Sequence, residues 1–425
     1  MTDLAARLSA AVEAGFEEQV GFLERLVAIP STRGAERPAQ ALFAEACRAR
    51  GLDTTITPID LDAIRGHPGF SPVVVDYADA LTVIARHAPT RATGRSLVLN
   101  GHMDVVPAGP EAFWSAPPFE PRHEGDWLHG RGAGDMKAGL GMTLAALDAL
   151  AACGLRPAAP LTIQSVVEEE STGNGALDAA LRSGPADAAL IPEPMGERIV
   201  RANLGVLWFR LRVRGAPVHA CEAGSGANAI EAAFRLIAAL RAHEARLNDG
   251  LRHPAFADAA HPINLNPGRI EGGDWPSSVP AWCAVDCRLS FFPGTPAAEA
   301  AREVEAVVAE AAAADPYLAK HPPEIDWTGF FAEGYHQPPG SEAEAALARA
   351  HEAAFEAELG ETLMNGYLDA RVFRLHQDTP TLCWGPRAEN IHGHDERVNL
   401  PSLRRCTHAL ALFIADWCGT EPLDG

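Results

Sequence analysis

No apolar run in this 425-residue chain approaches the ~20 residues that a helix needs to span a bilayer, so a helical membrane protein is not expected. No Cys-x-x-Cys pair occurs among the eight cysteines and no secretion signal precedes them. They read as buried thiols rather than a disulfide framework, with Cys283 and Cys287 on one face of a predicted strand. Basic residues are scarce: 35 Lys and Arg stand against 56 Asp and Glu, a net charge of −21. Nucleic-acid binding relies on clustered Lys and Arg, so no nucleic-acid partner is expected, and small molecules or metal cations are the expected ligands. There is no internal repeat and no low-complexity tract beyond alanine-rich helices. The opening residues, MTDLAARLSAAVEAGFEEQV, are acidic and amphipathic. They read as a first helix of the fold, and a cytoplasmic location is expected.

What is present is 47% hydrophobic and 21% charged, a globular composition in a chain long enough for two or more cores. Through the first half, strands and helices alternate. ERPAQALFAEACRARGL reads as a helix, SLVLNGHMDVV as a strand, KAGLGMTLAALDALAACG as a helix closed by Gly154, and LTIQSVV and ADAALIPEP as strands. That order predicts an α/β fold, a mixed and mostly parallel sheet with flanking helices. From about Leu204 the pattern becomes strand, helix, two strands, helix, strand. This βαββαβ order is that of an α+β ferredoxin-like sandwich. The expected organisation is a main domain of residues 1–203 and 334–425, interrupted by a smaller one of residues 204–333.

Chemistry-bearing residues fall at the ends of these strands. In LNGHMDVVP, His102 and Asp104 share a side if the strand stays regular, so one could ligate a metal while the other steers it. In GRGAGDMKAGLG, Asp135 stands among glycines just ahead of a helix, where backbone can approach closely. Glu168, Glu169 and Glu170 follow LTIQSVV, Glu193 ends ALIPEP, and GPRAENIHGHDERVNLP supplies His392 and His394 in an expected loop. Each alone has an ordinary reading, since a charge run is usually a solvated edge and a loop histidine a surface residue. Together they mark the carboxyl ends of successive strands, where open α/β sheets hold ligands.

In this order GHMDVVP, GRGAGDMKAG, VVEEESTGNG, IPEP and NIHGHDERV resemble the metal-site motifs of the M20 metallopeptidase and amidohydrolase family. Its members include acetylornithine deacetylase, succinyl-diaminopimelate desuccinylase, aminoacylase-1 and glutamate carboxypeptidase. The resemblance covers nearly the whole chain, and GAPVHACEAGSGANAI and CRLSFFPG fit the family's inserted lid or dimerisation domain. It implies a zinc-peptidase-like catalytic domain holding two divalent metal ions, zinc first, with manganese or cobalt as alternatives. His102 and Glu193 would ligate one ion, Glu170 and His392 the other, and Asp135 would bridge them, leaving a position open for water. Asp104 would hold the His102 ring through its other nitrogen. Three carboxylates against two divalent ions leave one positive charge, which a bridging hydroxide cancels, and the ions bring the pKa of bound water down towards ~7. His394 is expected to be a bystander.

The same resemblance divides the glutamates. Glu169 becomes the general base and Glu170 a ligand, while Glu168 has no assigned partner and is expected to face solvent. Adjacent side chains of a regular strand point to opposite faces, so the chain must leave β geometry here, and STGNG suits such a turn. His219 matches the family's oxyanion-site histidine, which in many dimers comes from the neighbouring subunit. Arg288 matches an arginine that grips a substrate carboxylate, with an ion pair inside the inserted domain as its alternative. Two departures stand out: Ser277 and Ser278 where several deacylases have an asparagine, and Tyr367 and Leu368 ahead of Asp369 where a small hydroxyl residue is common. The resemblance implies a homodimeric di-metal hydrolase that uses a metal-bridging water to cleave an amide C–N bond, first of all in an N-acyl amino acid or analogue. A carboxypeptidase or dipeptidase, removal of another amine such as an aryl amine, and a non-catalytic binding protein on the same fold are the alternatives.

Overall fold

The computed structural model describes residues 2–250 and 253–423. Apolar runs build a six-stranded sheet, ordered Asp53–Pro58, Leu81–His87, Leu161–Val166, Leu97–His102, Ala188–Ile191 and Thr381–Cys383. Only Leu81–His87 runs against the others, which gives the mixed, mostly parallel sheet that the alternation predicts. Leu97–His102 and Ala188–Ile191 are buried throughout, as central strands covered on both faces must be. The helix Ala138–Ala152 is apolar apart from Thr143 and Asp148 and buries ten of its fifteen residues, packed by Thr2–Val27 and Leu400–Cys418. Register then positions the site. His102 lies opposite Val166 in the parallel pair, so two neighbouring strands release their chains side by side at one edge.

Residues 205–332 form a second layer. Its antiparallel sheet runs Leu265–Gly272, Trp282–Phe291, Gly205–Arg214, Glu324–Ala332, with helices Ala229–Asp249 and Ala297–Ala313 packed together against it. Chain order and strand order are both ferredoxin-like. Phe209, Leu211, Val213, Leu236 and Val285 belong to a core distinct from the one under the six-stranded sheet.

Three features differ from the sequence reading or go beyond it. Ala388–Glu389, Arg397–Asn399, Trp127–His129 and Arg122–Glu124 form a small sheet of very short strands. Ile199–Asn203 pairs in parallel with Glu361–Met364. Cysteine burial is incomplete: Cys283 and Cys287 are buried as expected, but Cys153 is half-buried at the edge of the main core and Cys221 is exposed. No helix among the described residues is long and apolar enough to cross a membrane.

Candidate metal centre and active site

Asp135 is the hub of a cluster that joins six of the residues singled out above. Its Oδ1 lies 3.0 Å from His102 Nε2, and its Oδ2 lies 3.4 Å from His392 Nε2. Glu193 Oε1 approaches His102 Nε2 at 3.5 Å, Glu169 Oε2 approaches it at 3.9 Å, and Glu170 is 3.1 Å from His392 Nε2. Donor atoms of His102, Asp135 and Glu170 all lie within 4.8 Å of one another, as do those of His102, Glu169 and Glu193. Two imidazoles and four carboxylates at this spacing match the mixed nitrogen and oxygen donors that zinc accepts. The electrostatics fit the same group. Burial pushes Glu169 well above the usual carboxylate range, raises Glu170, and lifts Glu193 to about 7. Asp135 is the exception: burial opposes its ionisation, but hydrogen bonds from His102 and His392 hold it below that range. So many buried carboxylates can ionise together only beside compensating positive charge, which divalent cations supply.

Local structure explains how adjacent glutamates reach this cluster. The strand ends at Val166, and Glu168 takes a left-handed conformation with φ 72°. Its carbonyl accepts the N–H groups of Ser171, Thr172 and Gly173 at 3.3, 2.9 and 2.7 Å, which closes a tight turn under Glu169 and Glu170. The departure from β geometry expected at this point is therefore present. The expectation for Glu168 itself is overturned. Glu168 is buried, Arg33 binds both of its carboxylate oxygens, and Tyr77 and Thr172 donate to Oε2 at 2.5 and 3.0 Å. Solvent has no access because Arg33 and Tyr77, remote in sequence, fold over it.

Asp104 steers by a different route from the one its spacing implies. His102 Nδ1 donates to the Asp104 main-chain oxygen at 2.9 Å, and the carboxylate is more distant at 3.6 Å. That bond fixes the ring with Nε2 towards Asp135, and a cation bound between them would take the Nε2 lone pair in place of the proton that Nε2 otherwise donates to Asp135. The Asp104 carboxylate instead accepts the N–H of Glu170 at 3.1 Å.

Glu396 was missed as a functional residue. It is buried, its Oε1 accepts the N–H groups of both Gly134 and Asp135 at 3.0 Å, and its Oε2 pairs with Arg131 at 2.5 Å. Arg131 also donates to the Gly393 carbonyl at 2.9 Å, so one pair fixes Asp135 and the loop that carries His392. Its signal in the sequence is the second of two acids, Asp395 and Glu396, that follow the NIHGH segment. Asp369 is a further buried acid near the cluster. It accepts from Tyr367 Oη at 2.9 Å, and burial lifts it to about 8.

The remaining residues lie further out. His394 packs edge-on against Phe113 and Trp114, at 5.5 and 5.9 Å between ring centres. His219 is exposed, its ring accepts the nearby Cys221 N–H, and it does not line the cavity above the cluster. Arg288 does line it. Its Nη2 donates to the Asn365 carbonyl at 2.8 Å, it makes no ion pair with an acid of the described residues, and burial lowers its pKa. The cavity holds ≈ 1460 Å³ and takes its walls from loops of the six-stranded sheet and from the second layer.

The profile of peptidase family M20/M25/M40 matches residues 98–416. N-formyl-4-amino-5-aminomethyl-2-methylpyrimidine deformylase of Halalkalibacterium halodurans is 29% identical over 343 residues, covering 76% of this chain and 79% of that protein. Acetylornithine deacetylase of Erwinia tasmaniensis is 29% identical over 328 residues, 76% of this chain and 80% of the relative. Among solved structures, the di-peptidase Dug1p from Saccharomyces cerevisiae superposes with a TM-score of 0.79 over 98% of this chain and 99% of its own, at 14% identity. Human carnosine dipeptidase 1 gives 0.75 over 97% and 99%, at 16% identity. At such identities the two structures show the fold alone. The family match spans most of the chain and takes in the whole acidic cluster. The chain therefore belongs to peptidase family M20/M25/M40 and is a metal-dependent amide hydrolase.

Proposed function

We propose that the protein holds two divalent cations, zinc first with manganese or cobalt as alternatives, and hydrolyses the amide of an N-acyl amino acid or close analogue. The division of Asp135 between the two histidines carries this reading, because a carboxylate with one oxygen towards each imidazole is placed to bridge two ions. His102 and Glu193 would hold one, and Glu170 and His392 the other. Cations bound there polarise an amide carbonyl and bring the pKa of a water towards ~7. Glu169 accepts the proton of that water and returns it to the leaving nitrogen, a role that its place among the donor atoms of His102 and Glu193 supports. Asp104 keeps the His102 ring and the Glu170 backbone in place. Arg288, desolvated and without an acid partner among the described residues, offers its guanidinium to a substrate carboxylate.

Residues 204–333 act in this reading as an inserted lid through which two copies pair. Exposed Phe234, Ile270, Trp275 and Trp282, all in this part of the chain, support a covered face there. His219 then serves the oxyanion site of the neighbouring subunit. Eight unpaired cysteines support a reducing, cytoplasmic location. A dipeptidase is the second reading, favoured by a cavity larger than the ~300–1,000 Å³ usual for small-molecule sites. The deciding experiment is a hydrolysis screen of N-acyl amino acids, dipeptides and aromatic amides with zinc-, manganese- and cobalt-loaded protein. Chelator-sensitive hydrolysis fastest on N-acyl amino acids is expected. Preference for dipeptides moves the assignment to the second reading, and no hydrolysis of any class overturns both.

A further inference from the structure

We propose that Trp208, Phe330 and Tyr367 form a binding wall for a flat ring, so that the substrate is an amide carrying an aromatic or heteroaromatic group. The proposal rests on the amide-hydrolase reading of the same cavity and narrows it. Phe330 and Tyr367 are stacked, with ring centres 4.4 Å apart and planes at 28°, and Trp208 meets Phe330 edge-on at 5.1 Å. All three line the cavity that contains Glu169. They belong to a small apolar cluster that is part of neither main core.

The backbone is shaped to bring these rings to the base. Where Gly205–Arg214 pairs with Glu324–Ala332, the register shifts, so that Thr328, Gly329 and Phe330 all fall opposite Trp208 alone. Bulges of this kind re-aim side chains beside active sites. At the bulge, a Cβ on Gly329 would lie 2.7 Å from the Trp208 ring and 2.8 Å from the Ser171 carbonyl. Only glycine lets tryptophan and the glutamate-bearing turn approach this closely. Gly173, at the end of the same turn, likewise leaves room for Tyr367, whose hydroxyl would be 1.8 Å from a Cβ there. Tyr367 therefore meets the turn that carries Glu169 and Glu170 directly, and Trp208 is separated from it only by Gly329. Arg288, bonded to the Asn365 carbonyl, stands beside the segment that carries Tyr367, so a ring and an anionic group on one substrate find adjacent partners.

The test is calorimetric titration of zinc-loaded Glu169→Gln protein, which does not consume its ligand. The probes are N-acetylphenylalanine and N-benzoylglycine, with the ring on opposite sides of the amide, and their cyclohexyl counterparts of similar size. At least one flat ligand is expected to bind roughly tenfold more tightly than its saturated counterpart, the increment of one or two ring contacts. Trp208→Leu and Phe330→Leu should each bring that pair level while metal content and melting temperature hold. Saturated ligands binding as tightly as flat ones, a preference that survives both substitutions, or no binding of either kind overturns the wall. Turnover of the same compounds by the wild-type protein is read separately. If none is cleaved while the flat ligands still bind preferentially, the N-acyl amino acid reading fails and the ring wall stands.

Discussion

Arg33 grips Glu168 with two hydrogen bonds, Nε to Oε1 at 2.5 Å and Nη2 to Oε2 at 2.6 Å, beneath the turn that presents Glu169 and Glu170. The pair is the start of a longer chain. Tyr77, which donates to Glu168, accepts from Asn174 at 3.3 Å, and Asn174 exchanges two 3.0 Å bonds with the Ser71 backbone. Ser71 Oγ accepts the N–H of Phe331 at 3.1 Å. Hydrogen bonds thus run from the base-bearing turn to the second sheet.

Glu168→Ala is accordingly expected to be costly. Removing one member of a buried pair leaves the other uncompensated, and with Arg33 partly exposed the loss should be roughly 2–4 kcal/mol. Turnover should fall as well, because the turn under Glu169 loses its anchor. Denaturant unfolding and steady-state kinetics on this variant and on Arg33→Ala check both effects. An unchanged stability for both variants would return Glu168 to the solvent-facing role that its sequence context implies.

Glu169 and Glu170 should separate by consequence. Glu169→Ala is expected to retain its metal and lose roughly 10²–10⁴-fold in turnover, about 3–5 kcal/mol of transition-state stabilisation. Glu170→Ala should lose metal, with activity partly restored by excess zinc or manganese. Metal content measured beside turnover decides the assignment, and the proximity of Glu169 to His102 makes the measurement pointed. If Glu169→Ala loses metal while Glu170→Ala keeps it, the two roles must be exchanged.

A histidine that works in the neighbouring subunit can be tested by mixing. His219→Ala and Glu169→Gln proteins should each be nearly inactive, and exchange of subunits should restore about a quarter of wild-type activity, since half the dimers are hybrids with one intact site. No recovery, in a mixture shown by mass spectrometry to contain hybrids, would place His219 outside the reaction.

Acid stability should depend on His376. Burial, reinforced by the charge of Arg371 and by His67, lowers its pKa from 6.5 to about 4. The folded state therefore prefers the neutral ring, and the unfolded chain binds the extra proton between those values. Stability from this source is complete above about pH 6.5 and is lost as pH falls towards 4, up to about 2–3 kcal/mol. Melting temperatures of the wild type and His376→Gln across that window check it, and the variant should show the flatter profile.

Much of the architecture is readable from local pattern. The apolar stretch ending at Gly154, which takes φ 71°, becomes the helix it predicts, and the βαββαβ order yields the ferredoxin-like sheet. Strand ends marked by His102, Glu169, Glu170 and Glu193 converge because parallel neighbours release their chains at one edge. What local pattern cannot supply is burial of a charge. Glu168 reads as the hydrated end of a charge run, yet its partners stand 135 and 91 residues away. Glu396 anchors Asp135 across 261 residues, through strands too short to show any periodicity. Residue types and spacings therefore determined which groups the chain offers to a metal and to a water. Tertiary packing alone decided which of the remaining charges would be desolvated and paired, because that depends on surfaces brought together from distant parts of the chain.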